Sequence, residues 1–287
     1  MERSLSTAQS RTEVLFKWIM FTAAITGMAI ISAFYPIQGN VPLIVIPSIL
    51  VLVFAKPVFF ERLKLMTLLA MRILIVFAAL RFFNPQVYVD VIMLMLIVNI
   101  LEATFTDLLR YKKIFNAISG FALALGVIAL RGSWLFDAPM GDYYLAEGVL
   151  PVVTILYAVA YTIWNWIFVT NEFSSSVALM HVGFLGAPLI GSLCTLGLGA
   201  FGGIGMWLLL RANSLAIGGW MQIGAKDWFE REFFDAKFDR FVTWTKGKNV
   251  QIVCMIVNVV LIGVCIVLTL LNGGIQFSFA PLAAPAL

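Results

Sequence analysis

The chain has 287 residues, of which 62% are hydrophobic and 12% are charged, and its mean hydropathy is +0.99. Soluble domains are about half apolar and about a quarter charged, so this composition excludes an ordinary soluble fold. The net charge of +4 comes from basic residues that lie between apolar runs, where membrane topology accounts for them, and we expect no nucleic-acid binding.

Long apolar runs predict an all-α polytopic membrane protein that forms a single transmembrane domain over residues 1–287. At ~20 residues per span, the length allows roughly eight to ten transmembrane helices, and we predict about nine. The first run has no small-residue cleavage site after it and is expected to be retained. The predicted spans are 14–35, 42–56, 63–83, 86–109, 112–131, 148–171, 176–196, 199–217 and 250–272.

The distribution of Lys and Arg predicts the orientation, because basic residues favour cytoplasmic loops. Arg3, Arg11 and Lys17 place the N-terminus in the cytoplasm, and the acidic loop 132–147 falls outside. The basic segment 220–248 then lies inside only if residues 176–217 contain two spans, which turn at the glycine-rich stretch "CTLGLGAFGG". The short loops favour a plasma membrane of the bacterial inner type.

Residues 226–245 are predicted to form an amphipathic helix at the membrane interface. Phe234, Phe238 and Phe241 share one face, and Trp228 and Trp244 are suited to the headgroup level. The same segment, 220–248, is the candidate for docking a protein partner. The Gly- and Pro-containing tail, 273–287, is expected to be an extension rather than a span.

Intramembrane charges are costly and need a partner or water. Arg72 lies ~13 Å into the third span and Glu102 ~10 Å from the same side in the fourth, at 1.5 Å per residue. We therefore predict that Arg72 and Glu102 form an ion pair, which is either structural or functional. Asp107 and Arg110 are expected at the headgroups.

Further polar residues are predicted to converge with this pair on the cytoplasmic half of the bundle, around a hydrated cavity. Asn99 and Glu102 share one helix face, as do Asn165 and Glu172. A headgroup position for Glu172 and a structural hydrogen bond for His181 are the competing interpretations. The candidates for a substrate or proton site are Arg72, Asn99, Glu102, Asn165, Glu172, His181, Arg211 and Asn213.

No Walker, HExxH or GxSxG motif is present, and the three cysteines and one histidine form no metal motif, so we expect neither a cofactor nor a metal. The leading hypothesis is a transporter or permease for a small solute, coupled to protons through an intramembrane carboxylate. In that case Arg72 either pairs with Glu102 or attracts an anionic substrate. The alternatives are an intramembrane enzyme acting on a lipid-linked or isoprenoid substrate, with Glu and His as acid and base, and a non-catalytic subunit that docks partners through 220–248.

Overall fold

The structure, a computed structural model, describes residues 10–82 and 84–274, and these are almost entirely helical. Two short strands form an antiparallel hairpin, β1 (Ser133–Ala138) and β2 (Gly141–Leu145), with Trp134 opposite Tyr144. The helices in chain order are α1 (Arg11–Phe34), α2 (Pro36–Phe54), α3 (Phe59–Ala79), α4 (Pro85–Phe105), α5 (Ile114–Gly126), α6 (Pro151–Glu172), α7 (Ser175–Cys194), α8 (Trp207–Gly224), α9 (Lys226–Glu232), α10 (Ala236–Thr245) and α11 (Lys248–Leu271).

Helix boundaries follow ordinary capping chemistry. Ser10 caps α1 by accepting a hydrogen bond from the backbone N–H of Glu13 at 3.2 Å, and Ser174 caps α7 through the N–H of Val177 at 3.3 Å. Asn84 caps α4 in the same way, and Pro151 begins α6, where its missing N–H costs nothing. Ser10, Asn84 and Ser174, which lie between apolar runs, therefore fix where α1, α4 and α7 start.

Two helices contain π-helical turns, in which the chain is wound more loosely than in an α-helix. Val41–Val45 interrupts α2, and Thr106–Arg110 continues α4 beyond Phe105. A turn of this kind adds a residue and rotates the side chains beyond it to new faces, and it often occurs at functional sites. The second π-turn carries Asp107 into the bundle.

One end of the bundle, the charged end, collects the chain segments in which basic residues are concentrated. Lys17 on α1 contacts Glu232 on α9 at 2.6 Å, and Lys226 lies 3.8 Å from Glu61 at the start of α3. On α11, Gln251 donates to Asn171 near the end of α6. The segments predicted to share the cytoplasmic side thus do lie together.

The opposite end, the hairpin end, is built around the two strands. Arg81, which follows α3, contacts Asp137 at 2.9 Å, and Arg131, which follows α5, contacts Asp90 on α4 at 2.8 Å. Tyr143 donates to the carbonyl of Phe201. The long helices therefore alternate in direction between the two ends, and the hairpin caps one of them.

Six of the described helices are long and apolar enough to cross a membrane by length and composition, and together with the composition they indicate an all-α membrane protein. They are Arg11–Phe34, Pro36–Phe54, Gln86–Arg110, Pro151–Glu172, Ser175–Cys194 and Lys248–Leu271. The helices α3, α5 and α8 are shorter, more polar, or both. These three helices carry several of the buried polar groups, including Arg72, Asn116 and Asn213.

Several sequence-based boundaries need correction. The loop predicted at 36–41 is helical, because Pro36 starts α2 directly after α1. The region 132–147 forms the hairpin, and 226–245 forms two short helices separated at 233–235 rather than one. The predicted turn between two helices within 176–217 is confirmed, although 196–206 winds into two 3₁₀ segments, so α8 starts later than predicted. Most of the tail, from 275 onward, lies outside the described residues.

Candidate functional site

The centre of the bundle holds a buried arginine bonded to a buried amide. Arg72 on α3 has no exposed surface, and its Nη1 donates to Oδ1 of Asn213 on α8. The amide of Asn213 is oriented by its own donation to the carbonyl of Ala29 on α1, at 3.0 Å. Within the described chain, Nε and Nη2 of Arg72 have no hydrogen-bond partner. A guanidinium is always charged, so this is a buried positive charge with only a neutral acceptor.

The predicted ion pair between Arg72 and Glu102 is wrong. Arg72 points from α3 towards Asn213 on α8, while Glu102 on α4 lies near the end of α6, where its charge acts on Glu172. Because α3 begins at Phe59 and α4 is continued to Arg110, Arg72 lies ~20 Å and Glu102 ~12 Å from the charged end at 1.5 Å per residue, so their depths do not match. The remaining expectation for Arg72, attraction of an anion, stays a prediction.

A second arginine, Arg211, is 2% exposed and lies one half-turn before Asn213 on α8. Its Nη1 makes long contacts with the carbonyl of Phe184 at 3.5 Å and the hydroxyl of Ser214 at 3.4 Å. The guanidinium carbon also lies 5.2 Å from the centre of the Tyr161 ring, a cation–π distance. Among the described residues, Nε and Nη2 of Arg211 again have no partner.

Arg211 and Asn213 were predicted near the cytoplasmic end of their span, and this placement needs correction. Because α8 begins at Trp207 and continues to Gly224, Arg211 and Asn213 lie in its first half, on the side of the hairpin end. The glycine-rich stretch before Trp207 adopts 3₁₀ turns instead of α-helix, which shifts the helix along the sequence.

The carboxylates form a different group, at the charged end. Glu172 is the last residue of α6, and the charges that act on it are those of Lys64, Arg110, Glu102 and Glu61. One carboxylate oxygen of Glu172 is buried without a hydrogen-bond partner in the described part of the chain. The structure therefore brings Glu102 and Glu172 together, as predicted for the charged end, but separates them from Arg72.

Asp107 is a buried acid that the sequence analysis placed at the headgroups. It has no exposed surface, and its Oδ2 accepts a hydrogen bond from Asn116 on α5 at 2.6 Å. Its Oδ1 has no partner in the described residues. The π-turn at Thr106–Arg110 directs this side chain inward, and regular helical spacing gave no signal for it.

His181 is engaged in the packing of α7. Its Nε2 lies 2.7 Å from Oε1 of Gln222 on α8, and its ring stacks on Phe173 with centroids 5.3 Å apart. It is 7% exposed. These contacts favour the structural interpretation of this histidine over a role as a proton carrier.

Three amides are buried in the helix interfaces. Asn99 on α4 makes no hydrogen bond with a described residue, and Oδ1 of Asn165 on α6 is likewise unpartnered. Asn258, in the middle of α11, has no exposed surface, and both of its amide atoms lack a partner within 10–82 and 84–274. The sequence analysis missed Asn258, whose signal was an amide within an otherwise apolar run.

A cavity between the helices lies towards the hairpin end rather than at the charged end, and neither Arg72 nor Asn213 lines it. It is bounded by α3, α4, α8 and the hairpin, and all of its lining side chains are aliphatic or aromatic: Ile75, Val89, Ile92, Met93, Trp134, Tyr144, Leu208, Leu209 and Ala212. A larger open cleft at the hairpin end is lined by Arg131, Glu147 and the end of α11. Neither of these two spaces lies among the polar candidate residues, where the sequence predicted a hydrated cavity.

Tyr144 fixes the hairpin over the cavity. Its hydroxyl donates to the carbonyl of Leu130 and accepts from the backbone N–H of Gly132 at 3.0 Å. Burial raises the pKa of this phenol above its ordinary value, so it stays neutral and keeps its donated hydrogen bond. No group of three or more His, Cys, Asp or Glu side chains that could hold a metal ion occurs in the described residues.

Family models, curated proteins and solved structures were compared with the chain, and none of them matches it. The fold and the buried polar groups define an all-α membrane protein with charged and amide side chains inside its helix bundle.

Proposed function

We propose that the protein is an integral membrane transporter or permease for a small solute, with its charged end in the cytoplasm. In the described residues, the long helices alternate between the charged end and the hairpin end, and the basic residues collected at the charged end support this orientation because Lys and Arg favour the cytoplasmic side. The observation that carries the proposal is Arg72, a charge held at mid-bundle with a single neutral acceptor from the described chain.

A buried charge without a counter-ion costs several kcal/mol, by order of magnitude, and an ordinary structural core avoids it. Ionisable groups inside a bilayer typically face a solute pathway or a relay. Because Arg72 has two N–H groups without described acceptors, the protein gains interactions there when a solute with acceptor atoms enters.

Proton coupling is the second part of the proposal, and Asp107, Glu102 and Glu172 are its candidate carriers. Asp107 is fully buried with one oxygen unpartnered among the described residues, and Glu172 has a buried oxygen of the same kind. Carboxylates buried inside a bilayer commonly serve as proton relays. Asp107 replaces His181 among the candidates, because the imidazole is already engaged by Gln222 and Phe173.

In the alternative hypothesis, the protein is an intramembrane enzyme in which Glu172 and His181 act as acid and base. The contacts of His181 give that pairing no support, since its ring is stacked on Phe173 and its Nε2 faces Gln222. The alternative of a docking subunit draws on the exposed aromatics of 226–245, namely Trp228, Phe234, Phe241 and Trp244.

The test is uptake by the purified full-length protein reconstituted in liposomes. A panel of radiolabelled carboxylates, phosphate, amino acids and sugars is offered with and without an inward proton gradient. We expect Arg72→Gln to lower uptake of the carried solute at least about tenfold, the effect of losing roughly 1.4 kcal/mol of binding. Arg62→Gln, which removes an exposed charge at the start of the same helix, should leave uptake unchanged.

If the folded protein carries none of the panel above the rate of empty liposomes, the transporter proposal is wrong. Asp107→Asn addresses coupling separately. It keeps the size and the bond to Asn116, so stimulation by the gradient should disappear while uptake at equal pH persists. Unchanged stimulation in both Asp107→Asn and Glu172→Gln would remove these two residues as proton carriers.

A further inference from the structure

The exposed side of α10 combines aromatic rings with basic side chains. Phe241 and Trp244 are 46% and 60% exposed. Lys237 and Arg240, one turn earlier in the helix, are exposed as well. Because these four residues are three or four positions apart, their side chains form one continuous patch, which we call the basic–aromatic face. The side of α10 that packs on the bundle carries Val242 instead, which is buried.

The rings of this face lie on the lipid-facing surface of the bundle. On α6, Val152, Val159 and Trp166 are spaced by seven residues, close to two helical turns, so they share one side of the helix. The two valines are exposed, as apolar residues that face lipid are. Phe241 stacks on Trp166 with ring centroids 5.7 Å apart, and Trp244 stacks on Phe241 at the same distance. The stack therefore extends outward from the lipid-facing side of α6.

The depth of this stack corresponds to the headgroup region of a bilayer. Trp166 lies six residues before Glu172, the last residue of α6, which places it ~9 Å from the charged end at 1.5 Å per residue. Amphipathic helices that lie at a membrane surface bury their apolar side about 5–10 Å into the boundary between headgroups and acyl chains. Long basic side chains beside such a helix extend towards the phosphates.

The positive charge of the face is not neutralised within the described chain. Lys237 and Arg240 form no ion pair with a described residue, whereas other bases at the charged end do. Asp235 is already engaged, since it caps α10 and lies 3.5 Å from Arg11. Asp239 is two residues from Lys237, about 200° around the helix, and therefore faces the other side. An anion from outside the chain is thus the fitting counter-charge.

We propose that the basic–aromatic face of α10 binds the headgroup of an anionic phospholipid in the leaflet at the charged end. Lys237 and Arg240 bind the phosphate oxygens, and the rings of Phe241 and Trp244 lie against the first carbons of the acyl chains. A zwitterionic lipid makes the same apolar contacts, but its own ammonium group offsets the attraction to the two bases. This inference goes beyond the transport function and does not depend on it.

The experiment counts the lipids bound to the full-length protein in detergent by native mass spectrometry. Dioleoylphosphatidylglycerol and dioleoylphosphatidylcholine, which share their acyl chains, are titrated separately. We expect the first phosphatidylglycerol to bind at least about fivefold more tightly than phosphatidylcholine. That factor corresponds to roughly 1 kcal/mol, the attraction of one basic residue near an anionic surface. Equal affinity for the two lipids would overturn the proposal.

Charge variants assign the preference to this face. Lys237→Gln combined with Arg240→Gln should bind the two lipids equally, while Lys237→Arg combined with Arg240→Lys should keep the wild-type preference. Lys56→Gln combined with Arg62→Gln is the matched control, because it removes two exposed positive charges around the start of α3 and leaves α10 intact. This control should also keep the preference. Wild-type preference in the first variant would show that the face is not the site.

Two further measurements test the apolar half of the site. Phe241→Ala should weaken both lipids by the same factor, and loss of the preference instead would contradict the roles given to the rings and the bases. Glycerol phosphate, which has the headgroup charge without acyl chains, should not displace phosphatidylglycerol at equal concentration. Displacement would mean that the face binds a free phosphate rather than a lipid. Equal binding of both lipids, together with a stoichiometric acidic protein that the Lys237→Gln and Arg240→Gln variant no longer retains, would assign the face to a protein partner.

Discussion

Asn213 orients the buried guanidinium of Arg72 and is itself fixed by the carbonyl of Ala29. Replacing Asn213 by Leu keeps the approximate volume but removes the only described acceptor of a buried charge. We expect the free energy of unfolding to fall by about 1–3 kcal/mol or more, because an unsatisfied charged donor costs more than a neutral one. Thermal unfolding in detergent measures the change.

Asn99 provides the matched control for this prediction. It is also a buried amide but makes no hydrogen bond to a described residue, so Asn99→Leu should change the free energy of unfolding by less than about 1 kcal/mol. Equal losses for the two variants would show that Asn213 contributes only through packing.

The residue scale also shows what sequence reasoning can and cannot detect. Arg72, Asn213 and Glu172 were identified because a polar group within an apolar run is costly and therefore informative. The partner of Arg72 was not identified, because its direction around the helix depends on how α3 packs against α8. Asp107 was missed for a local reason, since the π-turn that directs it inward has no signature in the spacing of apolar residues.

At the scale of elements, α7 and α8 pack closely through a glycine. A methyl group added at Gly218 would lie 2.7–2.9 Å from three ring atoms of Phe184, which has almost no freedom to move because it is buried. We expect Gly218→Ala to lower the free energy of unfolding by about 1–3 kcal/mol through overpacking. Chemical or thermal unfolding in detergent is the measurement.

Gly263, in the interior of α11, gives the opposite expectation. A methyl group there meets no atom within 4 Å, so Gly263→Ala should raise helix stability by up to about 1 kcal/mol through helix propensity. Gly263→Ala is thus the control for Gly218→Ala. If Gly218→Ala also raises the free energy of unfolding, α7 and α8 are further apart than the structure shows.

The segment 226–245 illustrates the limit of pattern reading for an element. The spacing of Phe234, Phe238 and Phe241 suggested one amphipathic helix, yet the chain breaks at 233–235 because Phe229 and Phe233 turn inward against Phe21. The sequence does not distinguish a phenylalanine that faces lipid from one that faces the bundle. The two kinds of phenylalanine are distinguished only by the packing of α9 and the residue after it against Phe21 of α1.

This packing predicts a contrast between two adjacent residues. Phe233 has no exposed surface, so Phe233→Ala should cost about 3–5 kcal/mol of unfolding free energy. Phe234 is 54% exposed, and Phe234→Ala should stay within about 0.5 kcal/mol. Unfolding in detergent distinguishes them. If Phe234→Ala is as destabilising as Phe233→Ala, the assignment of inward and outward faces in this segment is wrong.

At the scale of the whole molecule, charge and hydropathy predicted more of the fold than of the site. The distribution of Lys and Arg placed the N-terminus and the 220–248 segment on one side, and contacts such as Lys17–Glu232 join them in the structure. Composition cannot show which helices are neighbours, because lipid-facing and helix-facing residues are equally apolar. The position of the cavity, which depends on α3, α4 and α8 meeting the hairpin, was therefore beyond the reach of the sequence.

The opposed ends of the bundle make the orientation in the membrane testable with single cysteines. In a variant lacking Cys194, Cys254 and Cys265, a cysteine is introduced either at Asp142 in the hairpin or at Lys246 beyond α10. We expect a membrane-impermeant maleimide to label Asp142→Cys in intact cells and Lys246→Cys only after permeabilisation, since positive charge is retained in the cytoplasm. Labelling in the reverse order would invert the proposed orientation while leaving the bundle intact. Labelling of both cysteines from outside would place the two ends on one face of the membrane. That result would contradict both the alternating direction of the helices and the proposal that a solute crosses the membrane beside Arg72.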